Sequence, residues 1–115
     1  MGLFNFRRKP IDPDNLPRTL NATQAITLVA DGAALIDCRE KSEWNSGHAT
    51  EATHIPLATI QGSTARVPKN RPVLVVCASG MRSQQAANTL RAAGFNASSI
   101  SGGMRAWQNA GGSVR

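Results

Sequence analysis

Tyrosine is absent from this 115-residue chain, and aromatic residues make up only 4% of it. The core must therefore be aliphatic, built from Val, Leu, Ile and Ala. The aromatic platforms on which single-strand binders stack bases are also missing. A formal charge of +6 does not restore a nucleic-acid reading, because the cations are scattered. Arg7, Arg8 and Lys9 sit near the N-terminus, Arg66, Lys69 and Arg71 precede an apolar run, and Arg82, Arg91 and Arg105 fall in or near helical stretches. That pattern describes a solvated basic surface with a mild attraction for anionic substrates. The cluster at residues 7–9 is a weak patch for an acidic partner or a membrane surface.

Two cysteines cannot build a disulfide framework, and two dispersed histidines with two cysteines do not make a zinc site. Neither a metal nor a cofactor is expected. No apolar run approaches the roughly 18 residues of a membrane span, so a soluble protein is expected. The N-terminal Met1-Gly2-Leu3-Phe4-Asn5-Phe6 places its basic residues after a short apolar stub, unlike a secretory signal. Phe6 also stands where a myristoylation motif needs Ser or Thr. A working thiol must stay reduced, which makes the cytoplasm the natural compartment. With 41% hydrophobic residues, the chain can bury one modest core.

What is present is a regular alternation. Residues 1–18 carry three prolines and little periodicity, as in an arm or linker, and residues 19–115 read as one domain. Thr23 is a candidate cap for a helix over 24–30, ended by Asp31-Gly32. Residues 33–38, 53–57, 73–77 and 96–101 read as strands, with a helical turn near 42–45. Residues 62–71 read as a polar connection. A long helix spans about 82–93 with Ala86, Ala87, Leu90 and Ala93 on one face, and a closing helix comes after it at 104–110. Strands alternating with helices predict an α/β fold with a parallel sheet that holds ligands at the carboxyl ends of its strands.

Cys77 falls at such an end. It closes the run Pro72-Val73-Leu74-Val75-Val76 and is followed by Ala78-Ser79-Gly80-Met81-Arg82-Ser83 and then the long helix. Free N–H groups and the positive dipole end at a helix start stabilise a thiolate and attract anions. The segment is a reactive-cysteine site.

Four ordered elements carry a family resemblance: Leu35-Ile36-Asp37-Cys38-Arg39-Glu40; Gly47-His48 followed by Ile55-Pro56-Leu57; Cys77-x-x-Gly80-x-Arg82-Ser83; and Gly102-Gly103 with Ala106-Trp107. The chain resembles a single rhodanese (thiosulfate sulfurtransferase) domain over about residues 19–111. The resemblance implies a three-layer fold, a five-stranded parallel sheet flanked by helices on both faces. Four residues separate Cys77 from Arg82, whereas loops of the tyrosine-phosphatase type have one more. A shorter ring of N–H donors suits the outer sulfur of a persulfide and is tight for a tetrahedral phosphate.

The resemblance implies that the Cys77 thiolate takes sulfane sulfur from thiosulfate or another persulfide donor, and that a thiol or cyanide then removes it. Backbone N–H groups of Ala78, Ser79, Gly80, Met81, Arg82 and Ser83 are the expected substrate cradle. Arg82 either meets the anionic donor or ties the loop to a carboxylate, with Asp37 or Glu40 nearest in the motif. Asp37 and Arg39 are expected to be structural, His48 and His54 architectural, and Trp44 and Trp107 packing residues, with Met81 at the pocket mouth. Cys38 stands where the family usually has an aliphatic residue. It is either an inert buried thiol or a residue that resolves the Cys77 persulfide. Glu51 stands where the family commonly has Gly. Alternatives to an enzyme with small-molecule substrates are a persulfide carrier exchanging sulfur with proteins and, opposed by the loop length, a small phosphatase or arsenate reductase.

Overall fold

The computed structural model describes residues 11–115; the basic cluster at residues 7–9 lies outside them. Its architecture derives from the alternation along one strand, β4 (Val73–Val76). Val73, Val75 and the adjoining Cys77 enter one hydrophobic cluster, while Leu74 and Val76 enter another. A strand with period two and apolar residues on both sides must lie in the middle of a covered sheet.

The other strands are β1 (Thr19–Leu20), β2 (Ala34–Asp37), β3 (Thr53–His54) and β5 (Ala97–Ile100). They form one parallel sheet in the order β1-β5-β4-β2-β3. Helices α1 (Ala22–Ala30) and α4 (Gly103–Asn109) cover one face, contributing Ala25, Leu28, Met104 and Trp107 to its cluster. Helix α3 (Met81–Ala92) covers the other through Ala86, Ala87 and Leu90. The short helix α2 (Lys41–Asn45) comes after β2. No helix among the described residues is long and apolar enough to cross a membrane.

Local chemistry explains where the elements depart from the sequence reading. Helix α1 begins earlier than expected, capped by Asn21 and not Thr23. The Asn21 side chain accepts from the Gln24 N–H at 2.8 Å, and the Gln24 side chain accepts from the Asn21 N–H at 2.9 Å. The expected strand at 53–57 shortens to Thr53–His54, because Pro56 has no N–H to give and Leu57–Thr59 turns into a 3-10 helix. The polar connection contains a second such helix, Gln61–Arg66, and is pinned by buried Ile60 and Val67. Strand β1 is not signalled by periodicity, being two residues long. It is held by its register with β5, Thr19 opposite Ser99 and Leu20 opposite Ile100.

Residues just before β1 are fastened to the domain. Leu16 is buried, its N–H donates to the Asn96 side chain at 2.9 Å, and its carbonyl accepts from Arg91 at 3.1 Å. Glu51 is exposed in a turn closed by the Ala52 N–H donating to the Ala49 carbonyl at 3.0 Å. No described non-glycine residue has a positive φ, so that turn does not require glycine here.

Candidate active site

The loop after β4 is shaped by glycine. Gly80, with φ +110°, is the cap of α3, and a Cβ on it would sit 3.4 Å from the Gly102 nitrogen. That left-handed turn folds the backbone over the end of β4. The Gly80 N–H then donates to Cys77 Sγ at 3.0 Å and the Ser83 N–H at 3.3 Å. Ser83 Oγ lies 3.4 Å from the same sulfur, 3.1 Å from the Gly80 carbonyl oxygen and 2.7 Å from Ser99 Oγ on β5.

The start of α4 buttresses the loop from outside. Gly103 has φ +59°, and a Cβ there would collide with the carbonyls of Cys77 and Ala78. The Met104 N–H donates to the Cys77 carbonyl at 2.8 Å. The Gly102-Gly103 pair is therefore a close-approach device.

Cys77 is wholly buried, and its thiol is held well below the ordinary cysteine value. The largest cause is a hydrogen bond from the Cys38 thiol; burial opposes the shift, and the Ser83 and Gly80 donors reinforce it. Cys38 moves the opposite way, because it keeps the proton it gives to the Cys77 thiolate and is itself desolvated. Between the two thiols, the loop donors favour Cys77 as the anion. All of them converge on Cys77.

Two ion pairs flank the loop. Asp37 is buried at the end of β2 and accepts from the Arg39 N–H at 3.0 Å and from its Nη2 at 2.8 Å; the same Nη2 donates to the Gly47 carbonyl at 2.7 Å. Arg82 reaches neither Asp37 nor Glu40, the two partners expected for it. It is bound through both terminal nitrogens to Glu43, at 2.7 and 2.9 Å. Asp37 is already spent on Arg39. Glu43 Oε1 is oriented by the Glu40 N–H at 3.0 Å, and the arginine holds this carboxyl down to about 2.

Of the six residues expected to form the cradle, Gly80 and Ser83 reach Sγ, while Ala78, Ser79 and Met81 are exposed around it. Met81 is the more prominent, 80% exposed. His48 Nδ1 is 2.9 Å from the Trp44 carbonyl and His54 Nε2 is 2.8 Å from the Arg39 carbonyl, with both rings stacked on Trp44. Trp107 is buried and donates to the Ser113 carbonyl. Sequence reasoning missed Glu43 and Ser99. The Glu-x-x-Glu spacing at the start of α2 was a usable signal for Glu43; a serine in a strand carries none for Ser99.

A cleft of about 530 Å³ lined by Thr27, Leu28, Ala33, Arg71 and Pro72 lies at the opposite, amino-terminal ends of β2 and β4. It contains none of these groups. The buried sulfur, its depressed thiol value and the N–H donors around it make the loop, and not that cleft, the candidate reactive site.

A family profile described as the rhodanese-like domain matches residues 21–110. The chain is 36% identical over 93 residues to the thiosulfate sulfurtransferase GlpE of Pseudomonas entomophila, covering 80% of this chain and 85% of that protein. It is 32% identical over 74 residues to the putative sulfur carrier protein YrkF of Bacillus subtilis, covering 64% of this chain and 40% of that protein. Among solved structures, a rhodanese-related protein from Thermoplasma volcanium superposes with a TM-score of 0.78 at 25% identity, covering 86% of this chain and 98% of that one.

Proposed function

The chain belongs to the rhodanese-like family, and from that premise we propose that it is a sulfurtransferase whose Cys77 carries sulfane sulfur as a persulfide. The observation that carries this reading is the convergence of the Gly80 and Ser83 N–H groups on Cys77 Sγ at 3.0 and 3.3 Å. A thiolate attacks the outer sulfur of thiosulfate, the sulfur–sulfur bond breaks, and sulfite leaves with the electron pair. The same donors then stabilise the persulfide anion. An acceptor thiol or cyanide attacks the outer sulfur and returns the Cys77 thiolate. Sulfite and thiolate are good leaving groups, so no general acid is required. Because Cys77 has no exposed surface, the loop must yield slightly at its exposed Ala78, Ser79 and Met81 to admit the donor.

The loop supports sulfur over phosphate chemistry, because the four residues between Cys77 and Arg82 make a ring of N–H donors that is tight for a tetrahedral phosphate. Arg82 donates through both terminal nitrogens to Glu43, which ties the loop to α2. The compartment that suits this chemistry is the reducing cytoplasm.

A thiosulfate:cyanide assay tests the reading, with thiocyanate as the product and Cys77→Ser as the control. Thiocyanate formation in the wild type that falls to background in the variant is expected; equal rates in the two proteins would overturn it. A second reading, a carrier fed by a protein donor, is favoured by the exposed Met81 at the loop mouth. Slow thiosulfate turnover with fast loading from a protein persulfide would select it.

A further inference from the structure

The transfer cycle uses one of the two cysteines. The other, Cys38, is 1% exposed and belongs to the same buried cluster as Cys77. Strands β2 and β4 are parallel neighbours with Ile36 opposite Val75 and Asp37 opposite Val76. The ladder continues one step further, with the Cys38 N–H donating to the Val76 carbonyl at 3.0 Å. Cys38 and Cys77 are therefore the next facing pair.

Adjacent strands lie about 4.8 Å apart, within the Cα separation of about 4.4–6.8 Å that disulfides span. Alternation also puts both side chains on the side of the sheet covered by α3, in phase with Ile36 and Val75.

We propose that Cys38 resolves the Cys77 persulfide, closing a Cys38–Cys77 disulfide and expelling hydrogen sulfide. The step rests on the sulfur-transfer reading above. Cys38 sulfur bonds to Cys77 Sγ, the bond from Sγ to the outer sulfur breaks, and that sulfur leaves with the electron pair. It takes the proton given up by Cys38 and departs as hydrosulfide. The sulfane sulfur is reduced and the two cysteines are oxidised, so no other oxidant is needed. A dithiol reductant then reopens the disulfide by exchange.

Loading also removes the main restraint on Cys38. The neighbouring Cys77 thiolate is the largest influence holding its proton. Once Sγ is bonded to a second sulfur, the negative charge lies on the outer atom, and that restraint weakens.

The test is anaerobic incubation of the reduced full-length chain with thiosulfate and no acceptor thiol. Released sulfite and sulfide are measured, and the protein is then acid-quenched, alkylated and weighed intact. Wild type is expected to release one sulfide per chain and to end two hydrogens lighter, with neither cysteine alkylated. In Cys38→Val, which restores an aliphatic side chain, and in Cys38→Ser, sulfide should fall to background while one added sulfur remains on Cys77. A wild type that keeps the added sulfur, with Cys38 alkylated and sulfide at background, would overturn the proposal. Absence of both sulfite and added sulfur in all three proteins has a separate signature: it would overturn the transfer reading, and this step with it.

Discussion

The carboxyl ends of β2 and β4 are nearly equivalent places. Each lies in the interior of the same parallel sheet, each strand is followed at once by a buried cysteine, and the two sulfurs lie on the same side of the sheet. Yet one sulfur is held as the anion and the other as the proton donor. The difference lies in the path of the backbone beyond each strand. After β4, a left-handed Gly80 brings two N–H groups and a hydroxyl back onto Sγ. After β2, the backbone bends at Arg39, where the N–H goes to the Asp37 carboxylate, and is extended at Glu40 before entering α2. Strand-end position and burial do not make a nucleophile; the returning donors do.

The largest expected effect comes from the β2 end. Asp37→Asn leaves the Arg39 guanidinium buried with no anion, and should destabilise the fold by about 3–5 kcal/mol in denaturant unfolding. An unchanged transition midpoint would show that the two ends are not held by different means. Next is Gly103→Ala, which forces a side chain against the Cys77 and Ala78 carbonyls. The displaced loop should lower the rate of sulfur loading by about a hundredfold, a value typical of misplacing a reacting group by an ångström.

Ser83→Ala sharpens the comparison without moving the backbone donors. It removes one polar partner of the thiolate, so Cys77 should titrate about one unit higher, as expected for one hydrogen bond to a charged group. Because the folded value is depressed, the thiolate is present above it and is lost as pH falls through it. The acid limb of the pH–rate profile should therefore move to higher pH in the variant. The smallest effect is Glu43→Gln. This pair is about one-third exposed on both sides, so about 0.5–1 kcal/mol is expected. The contribution is present above the ordinary carboxyl value of 4.5 and is lost as pH falls through about 2. The variant and wild type should converge in stability across that window.

What was legible in the sequence divides along the same line. Strand β4, the turn and α3 were readable because apolar alternation, a glycine and a helical face occur consecutively. That Cys38 and Cys77 both close strand-like runs was legible, whereas their facing one another was not, since it depends on the register between β2 and β4. Strand β1 was not legible, since two residues show no period and only pairing with β5 defines them. Glu43 was passed over because the motif drew attention to Asp37 and Glu40, while the choice among the three depends on α2 turning back toward α3. Ser99 was hidden for a related reason: its contact with Ser83 is made across sixteen residues by the packing of α3 on β5.

The comparison of the two strand ends is tested most directly by alkylating the reduced protein with a small reagent across pH and mapping the label on each cysteine. The account predicts that Cys77 reacts at a rate independent of pH from mildly acidic to alkaline conditions, while Cys38 stays protected until well above the ordinary thiol value of 9.0. Labelling of Cys38 before Cys77, or a Cys77 rate that rises only as pH passes 9.0, would contradict it.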